Sequence, residues 1–180
     1  MPRNCNNPAQ MNASPEEWVK KHIHLIPEKS TVADIACGKG RHTRLLLRRG
    51  FFVVAFDKDV SGLRDIPPTP NLRVVEVDLE ADNECLKHPK EFSAIIVVNY
   101  LHRPLFDNLI HALKPGGILI YQTFMVGNER YGRPHNTDYL LKENELSTRL
   151  EAEFRIIEFD QGYIEYPKPA VIQKICATKF

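Results

Sequence analysis

The segment from Val32 to Gly40, VADIACGKG, constrains the fold of this chain more than any other. Its mostly apolar start predicts a β-strand, Gly38 and Gly40 predict a tight turn, and the following RHTRLLL predicts the start of a helix. The glycines leave the backbone open to a ligand. Asp34 precedes the turn, and Asp57 closes the next apolar run. A strand, a glycine turn and a helix, with an acid near the next strand end, are typical of α/β proteins that bind an adenosine group.

Length and composition favour a single domain. The chain has 180 residues, 43% of them hydrophobic, which is enough for one sizeable core. We expect residues 1–13 to be a poorly ordered tail and residues 14–180 to form the domain. The net charge of +1 argues against nucleic-acid binding through a global positive field. Since neither a membrane-spanning run nor a secretory signal is visible, we expect a cytoplasmic protein without membrane contact.

The four cysteines are scattered along the chain, at Cys5, Cys37, Cys85 and Cys176, without a C-x-x-C pair. This spacing indicates neither a zinc site nor a disulfide framework, so no metal site is predicted. Reduced thiols are the simplest interpretation, and they agree with a cytoplasmic location.

Apolar runs and chain breakers predict seven strands. Five of them are separated by crossover-length, mostly helical segments, which predicts a parallel sheet with right-handed crossovers. The last two leave no room for a helix between them, so they should form an antiparallel hairpin. The fold class is therefore α/β, a doubly wound, seven-stranded, mostly parallel sheet with a C-terminal antiparallel hairpin. The predicted strands are 31–36, 51–56, 72–77, 93–98, 118–123, 154–159 and 170–178.

The predicted helices have recognisable boundaries. The first should begin with Ser14 as the N-cap, Pro15 as the first helical residue and Glu17 completing a capping box, and should end before Pro27. The helix after the glycine turn should end at Gly50. Further helices are predicted over 60–65, 104–113 and 143–150, with a long loop over 124–142.

Three ligands compete for the glycine turn. A nicotinamide or flavin site usually shows G-x-G-x-x-G, but Thr43 stands where the third glycine would be. A phosphate-binding P-loop motif is absent. S-adenosylmethionine carries no phosphate, and its ammonium and sulfonium groups are cationic. Asp34 would attract these groups, whereas it would repel a pyrophosphate.

On these residues the chain resembles class I S-adenosylmethionine-dependent methyltransferases, over residues 31–178. The segment Asp34-Ile-Ala-Cys-Gly-Lys-Gly40 resembles their first motif, although Ala36 stands where glycine is more usual. Lys114-Pro-Gly-Gly117 resembles the turn before their fifth strand. The final hairpin resembles the strands that distinguish this Rossmann-like fold from dehydrogenases. Within the family, Cys-Gly-Lys-Gly-Arg-His and Tyr-Gly-Arg-Pro-His-Asn are most similar to small methyltransferases of the tellurite-resistance kind.

The resemblance implies a cofactor site for S-adenosylmethionine. The backbone from Ala36 to Gly40 would line the methionine part, and Asp34 would contact the ammonium group directly or through water. Asp57 would accept hydrogen bonds from both ribose hydroxyls, and Asp78 would accept one from the adenine amino group. The predicted cofactor-binding residues are Asp34, Ala36, Cys37, Gly38, Gly40, Asp57, Lys58, Asp78, Leu79, Asn99, Tyr100 and Leu101.

Methyl transfer leaves little covalent chemistry to the protein, which mainly aligns the acceptor and excludes water. A base is needed only if the acceptor must lose a proton, so a thiolate or a metalloid oxyanion needs none. Tyr100, His102 and Arg103 follow the fourth strand, at the edge where α/β ligands bind, and are the catalytic candidates. An equally weighted alternative is that His102 and Arg103 cap the helix near Pro104.

The 124–142 loop is long for a compact domain, which favours a functional role over that of a solvated lid. Its segment Arg130-Tyr-Gly-Arg-Pro-His-Asn136 holds two arginines, a histidine and a tyrosine, and Arg133 is suited to bidentate contact with an anion. The sequence therefore predicts a small acceptor and favours an anionic one. The predicted substrate-binding residues are Arg103, Tyr131, Arg133 and His135.

Two other functions stay open. The first is methyl transfer to RNA or protein. The small size weighs against it, and the chain has Asn99-Tyr-Leu-His102 where amino-methylating nucleic-acid enzymes often carry Asn-Pro-Pro-Tyr. The second is a non-catalytic S-adenosylmethionine-binding subunit, because binding motifs do not prove turnover. The expected partner is a small molecule rather than nucleic acid, and the oligomeric state stays open.

Overall fold

The computed structural model describes residues 14–81, 86 and 90–180, and seven strands in that part of the chain form one sheet. The predicted tail over 1–13 lies outside the described residues. The strands are β1 (Thr31–Ile35), β2 (Phe52–Asp57), β3 (Leu72–Glu76), β4 (Phe92–Val98), β5 (Leu113–Phe124), β6 (Phe154–Ile164) and β7 (Ala170–Lys179). The α-helices are α1 (Glu17–His22), α2 (Arg41–Arg48), α3 (Phe106–Ala112) and α4 (Glu145–Leu150).

The strand order is β3-β2-β1-β4-β5-β7-β6. All pairs from β3 to β5 are parallel, and β7 runs antiparallel to both β5 and β6. The order reverses between β1 and β4, which leaves a crevice at the carboxyl ends of these strands. The predicted fold class, including the antiparallel hairpin, is confirmed.

Helices cover both faces of the sheet, as a doubly wound fold requires. Alternate residues of β4 point to opposite faces, and both sets are buried, which is why this strand is a continuous apolar run. One face packs with α1 and α2, where Trp18 and Leu46 are buried beside Ile96. The other face packs with α3 and α4, where Leu109 and Leu146 are buried in one cluster.

The predicted start of the first helix is wrong. Helix α1 begins at Glu17, its N-cap is Glu16, and no side chain caps it locally. Instead the Glu16 backbone N–H donates to Nε2 of His42, at 3.2 Å. The Glu16 carboxylate also pairs with Arg41, at 2.9 Å. The cap is thus supplied by α2, a tertiary contact that a local capping pattern could not predict.

Other boundaries differ by a few residues. The predicted helix over 60–65 is a 3₁₀ turn over Val60–Leu63. The helix predicted over 104–113 starts as a 3₁₀ turn over Arg103–Leu105, and the helix predicted over 143–150 starts at Glu145. Strand β5 begins at Leu113, before the Lys-Pro-Gly-Gly turn, because Leu113 pairs with Phe92 across a register shift.

The buried imidazole of His42 makes stability depend on pH. Burial, reinforced by the charge of Arg41, lowers the pKa of His42 to about 3. The unfolded chain would protonate this histidine below its ordinary pKa of 6.5, whereas the folded chain resists protonation. The contribution of neutral His42 to the free energy of unfolding is therefore fully present above pH 6.5. It is lost progressively as the pH falls toward 3, by up to roughly 1.4 kcal/mol per pH unit.

We expect melting temperatures recorded from pH 8 to pH 4.5 to fall more steeply for the wild type than for His42→Gln. Glutamine keeps an acceptor for the Glu16 amide but cannot take up a proton in this pH range. His24→Gln is the matched control, because His24 is exposed. Equal slopes for the wild type and His42→Gln would contradict this account.

Candidate functional site

The glycine turn after β1 holds the backbone in a left-handed conformation at alternate residues. The φ angles are 52° at Ala36, 55° at Gly38 and 72° at Gly40. A Cβ on Gly40 would lie 2.1 Å from the end of the Leu63 side chain, and the φ of 72° is one that other residues rarely adopt, so glycine is favoured there. A Cβ on Gly38 would meet nothing within 4 Å. The backbone of the turn thus borders open space at Gly38, where a ligand can approach.

Asp57 is the acid closest to this open space. One carboxylate oxygen accepts a hydrogen bond from the Gly38 N–H, at 2.7 Å, and the other accepts one from the Asp59 N–H, at 3.0 Å. These bonds fix the carboxylate at the end of β2 beside the turn. Each oxygen has further acceptor capacity, since a carboxylate has about four lone-pair sites. The side chain can therefore accept additional hydrogen bonds from a ligand's hydroxyl groups.

Asp34 lies beneath the turn. It is 2% exposed, and its carboxylate accepts a hydrogen bond from the Thr43 hydroxyl, at 2.5 Å. Burial raises the pKa of Asp34 to about 6, although the hydrogen bonds from Thr43 and the charge of Arg41 act in the opposite direction. Asp34 therefore ties β1 to the first turn of α2. Thr43, which interrupts the dinucleotide motif, is the partner of this buried acid.

Cys37 contributes packing within the turn. Its thiol is buried with Ala55 and Leu63, and burial, with the charges of Asp34 and Asp57, raises the pKa of the Cys37 thiol to about 12. Its backbone N–H donates to the Phe56 carbonyl, at 3.0 Å. A thiol with so high a pKa is unreactive at neutral pH.

The predicted adenine-binding residues lie at the ends of β2 and β3. The Asp78 carboxylate is exposed and accepts a hydrogen bond from the Glu80 N–H, at 3.0 Å, which closes a turn. Leu79 is 4% exposed and belongs to the main core. Lys58 is exposed beside Asp57. These residues thus border the crevice on the β2–β3 side.

The end of β4 is held in a strained and fixed conformation. Asn99 has a φ of 57°, and its N–H donates to the Gln122 carbonyl at 2.8 Å. The Tyr121 hydroxyl donates to the Tyr100 carbonyl, at 2.9 Å. A positive φ on a residue other than glycine costs energy and is typical of functional sites.

The Tyr100 hydroxyl is buried without a hydrogen-bond partner, which is true of no other side-chain atom in the described residues. Burial raises the pKa of Tyr100, and the charges of Glu80 and Asp78 raise it further. The hydroxyl therefore stays protonated at physiological pH and acts as a donor rather than as a base. A buried donor of this kind is satisfied when a ligand or a water molecule accepts a hydrogen bond from it.

A pocket of about 480 Å³ lies between the ends of β4 and β5 and the 124–142 loop. Residues 36–40 of the glycine turn do not line this pocket, whereas Asn99, Tyr100 and Leu101 of the predicted cofactor-binding set do. The lining residues are Asn99, Tyr100, Leu101, Thr123, Phe124, Arg133, Pro134, His135, Asn136 and Tyr139.

Arg103 points away from this pocket and binds the loop instead. Its guanidinium pairs with both carboxylate oxygens of Glu145, at 2.8 Å each. It also donates to the carbonyls of Asp138, at 2.6 Å, and Leu140, at 2.8 Å. Burial would raise the pKa of Glu145, but hydrogen bonds, first from Arg103, lower it to about 2. We call this group, Arg103 with Glu145, the Arg103–Glu145 clamp.

The structure separates the predicted catalytic and substrate-binding residues into two groups. Tyr100, Arg133 and His135 line the pocket, whereas His102 and Arg103 do not. Tyr131 does not line it either, because its ring packs on Tyr163, with centroids 5.2 Å apart. His102 does occupy the N-cap position, that of the Arg103–Leu105 3₁₀ turn. Its side chain, however, makes no capping hydrogen bond.

Sequence reasoning missed several residues at this site. Glu145 lies at the start of α4, with no motif to connect it to Arg103. Tyr139 lines the pocket and donates to Glu80 at 3.4 Å, joining the loop to the end of β3. Thr123 was predicted only as the end of the fifth strand and Phe124 only as the start of the loop, whereas both lie at the end of β5 and line the pocket. The one available signal was the aromatic content of the loop, which pointed to Tyr131 rather than to Tyr139.

Neither a metal-binding cluster nor a membrane-spanning helix is present among the described residues. No group of three or more His, Cys, Asp or Glu side chains in that part of the chain could hold a metal ion. In the same ranges, no helix has both the length and the apolar character needed to cross a membrane.

No family model matches the chain. The curated protein "Putative methyltransferase YqeM" of Bacillus subtilis (strain 168) is 25% identical over 119 residues, which cover 59% of this chain and 47% of that protein. The chain thus spans about half the length of the curated relative that it matches.

Solved structures match over nearly the whole chain. TehB from Haemophilus influenzae superposes with a TM-score of 0.71 at 17% identity, covering 91% of this chain and 62% of TehB. A 1,6-didemethyltoxoflavin-N1-methyltransferase from Burkholderia thailandensis, with S-adenosylhomocysteine bound, superposes with a TM-score of 0.63 at 20% identity. The match covers 97% of this chain and 79% of that enzyme. This chain has the fold of S-adenosylmethionine-dependent methyltransferases. The predicted resemblance is thereby confirmed at the level of the fold.

This methyltransferase fold does not by itself determine which class of acceptor the protein binds. The Burkholderia enzyme acts on a small molecule. A 16S rRNA (adenine(1408)-N(1))-methyltransferase from Catenulisporales acidiphilia also superposes, with a TM-score of 0.58 at 15% identity, covering 91% of this chain and 89% of that one. The acceptor must therefore be inferred from the pocket of this chain.

Proposed function

We propose that this protein is an S-adenosylmethionine-dependent methyltransferase whose acceptor is a small anion. The observation that carries the proposal is the position of Asp57, fixed by the Gly38 amide beside an open glycine turn in this fold. A pocket that Arg133 lines lies at the ends of the neighbouring strands β4 and β5, and it shares Asn99, Tyr100 and Leu101 with the proposed cofactor site. Cofactor and acceptor thus have adjoining places.

The residues present fit the cofactor. Open space at Gly38 accommodates a ligand against the backbone, and the carboxylate of Asp57 has acceptor capacity for two hydroxyl groups. The unpartnered hydroxyl of Tyr100 supplies a donor toward the acidic side of the crevice. Asp34 would act from beneath, by attracting a cation through the turn and by holding Thr43. The proposed cofactor-binding set is otherwise as predicted: Ala36, Cys37, Gly40, Lys58, Asp78, Leu79, Asn99 and Leu101.

S-adenosylmethionine supplies, when bound, a methyl carbon whose bond to sulfur breaks with its electron pair on sulfur as an acceptor lone pair attacks. The protein's contribution is alignment and exclusion of water. Asn99 and Tyr100 are fixed by backbone contacts at the end of β4, where both the turn and the pocket are within reach. Tyr100 stays protonated, so it is suited to hold an acceptor oxygen or the cofactor and not to remove a proton.

The charge of the pocket supports an anionic acceptor. Arg133 and His135 line it, both are exposed, and neither side chain has a hydrogen-bond or ion-pair partner within the described part of the chain. A guanidinium that is free at a pocket wall can form two parallel bonds to a carboxylate or another oxyanion. An anionic nucleophile would need no base, and His135 is available if the acceptor carries a proton.

Transfer of a labelled methyl group tests the proposal. The protein is incubated with S-adenosylmethionine, labelled on the methyl group, and with an extract separated into small-molecule, RNA and protein fractions. Asp57→Ala controls for enzyme-dependent labelling. The three fractions distinguish a small acceptor from RNA or protein. A non-catalytic subunit would bind the cofactor without labelling any of them.

A further inference from the structure

We propose that the acceptor is an organic anion with a flat apolar body, rather than a bare inorganic oxyanion. The inference rests on the proposed function and names the class of acceptor that the pocket is built to take. It follows from three properties of the pocket: its walls, its charge and its size.

The walls of the pocket are largely carbon. Tyr100, Leu101, Phe124, Pro134 and Tyr139 line it, and although the other five lining residues are polar, most of the lining surface is carbon. Aromatic walls favour a flat ligand, because rings stack offset or edge to face at centroid distances of roughly 4.5–7 Å. They offer little to an ion that must keep several hydrogen bonds after losing its water. The walls therefore select an apolar body.

The 124–142 loop supplies the positive charge at the pocket, through Arg133. Arg133 carries a guanidinium without a partner among the described residues, whereas Arg103 is fully engaged with Glu145 and two carbonyls. Arg130, three residues before Arg133, is exposed and does not line the pocket. The anionic group of the acceptor is thus expected at Arg133, with His135 beside it.

The size of the pocket separates organic from inorganic anions. A volume of about 480 Å³ lies within the range of roughly 300–1,000 Å³ that holds drug-sized ligands. An oxyanion of four or five atoms would leave most of the walls in contact with water, and the apolar surface would contribute nothing to its binding. A flat organic anion uses both the walls and the guanidinium.

Calorimetric titration in the presence of saturating S-adenosylhomocysteine tests the inference. The probes are flat aromatic carboxylates (benzoate, 2-naphthoate and indole-3-carboxylate), the neutral benzyl alcohol, and inorganic phosphate and selenite. We expect at least one carboxylate to bind about 10-fold more tightly than phosphate, selenite or benzyl alcohol. Arg133→Gln should weaken the binding of that carboxylate about 10-fold. Arg130→Gln removes the same charge from the same loop and should leave the binding unchanged.

Equal or tighter binding of phosphate or selenite would overturn the inference, as would carboxylate binding that Arg133→Gln leaves unchanged. No carboxylate binding at all would overturn it as well. Because S-adenosylhomocysteine is titrated first, failure of the cofactor to bind would count against the proposed function. Normal cofactor binding with the wrong probe preference would count against the acceptor class alone.

Discussion

Replacing Asp57 with alanine is expected to weaken S-adenosylmethionine binding by about 100-fold or more. The carboxylate would accept two ribose hydrogen bonds, and hydrogen bonds to a charged group contribute roughly 1.5–3 kcal/mol each. The same carboxylate holds the Gly38 and Asp59 amides, so its loss also loosens the open turn. Calorimetric titration of the purified variant against the wild type measures the effect.

Asp59→Ala is the matched control for this prediction. Asp59 is an exposed acid two residues further on, and its carboxylate accepts hydrogen bonds from Ser61, including one from the backbone N–H at 2.9 Å. The substitution makes the same change of charge without touching the glycine turn, so cofactor affinity should stay within about twofold of the wild type. If both variants lose affinity equally, the effect is one of general charge, and the assigned role of Asp57 is incorrect.

The second large effect is expected at the Arg103–Glu145 clamp. In Arg103→Gln the Glu145 carboxylate, whose side chain is 10% exposed, loses its bidentate partner, and two loop carbonyls lose their donor. A cost of about 2 kcal/mol is expected, or a melting temperature lower by about 5 °C. Because the loop carries Arg133 and His135, the acceptor KM should rise about 10-fold while cofactor affinity changes little.

Arg149→Gln separates the clamp from a general loss of charge at Glu145. Arg149 donates to the same carboxylate, at 3.1 Å, but within the described residues it makes no hydrogen bond to the loop carbonyls that Arg103 holds. Its replacement should leave the acceptor KM near the wild-type value. If Arg103→Gln raised the cofactor Kd by the same factor as the acceptor KM, the clamp would support the whole domain and not the 124–142 loop in particular.

The sequence was sufficient for the architecture because the signals involved are local. Continuous apolar runs such as Phe92–Val98 occur in strands that are buried on both faces, and the spacing between runs fixes which neighbours can be parallel. Gly38 and Gly40 meet conformational requirements that few other residues satisfy. Asp57 was placed correctly beside the turn because it closes a strand adjacent in the sheet.

The acceptor side was predicted less well, because its contacts join distant parts of the chain. Arg103 meets Glu145 across 42 residues, and no periodicity or motif links them. The composition of the loop predicted that Tyr131, Arg133 and His135 bind the acceptor, yet the Tyr131 ring packs on Tyr163 of the hairpin. Which side chains enter a pocket depends on the path of the loop, which long-range packing determines.

The measurement that tests the central claim most directly is the distribution of labelled methyl groups among small-molecule, RNA and protein fractions after incubation with the enzyme. We expect the label to appear in the small-molecule fraction and expect Asp57→Ala to abolish it. Label confined to RNA or protein, or no transfer by a protein that binds S-adenosylmethionine normally, would contradict it.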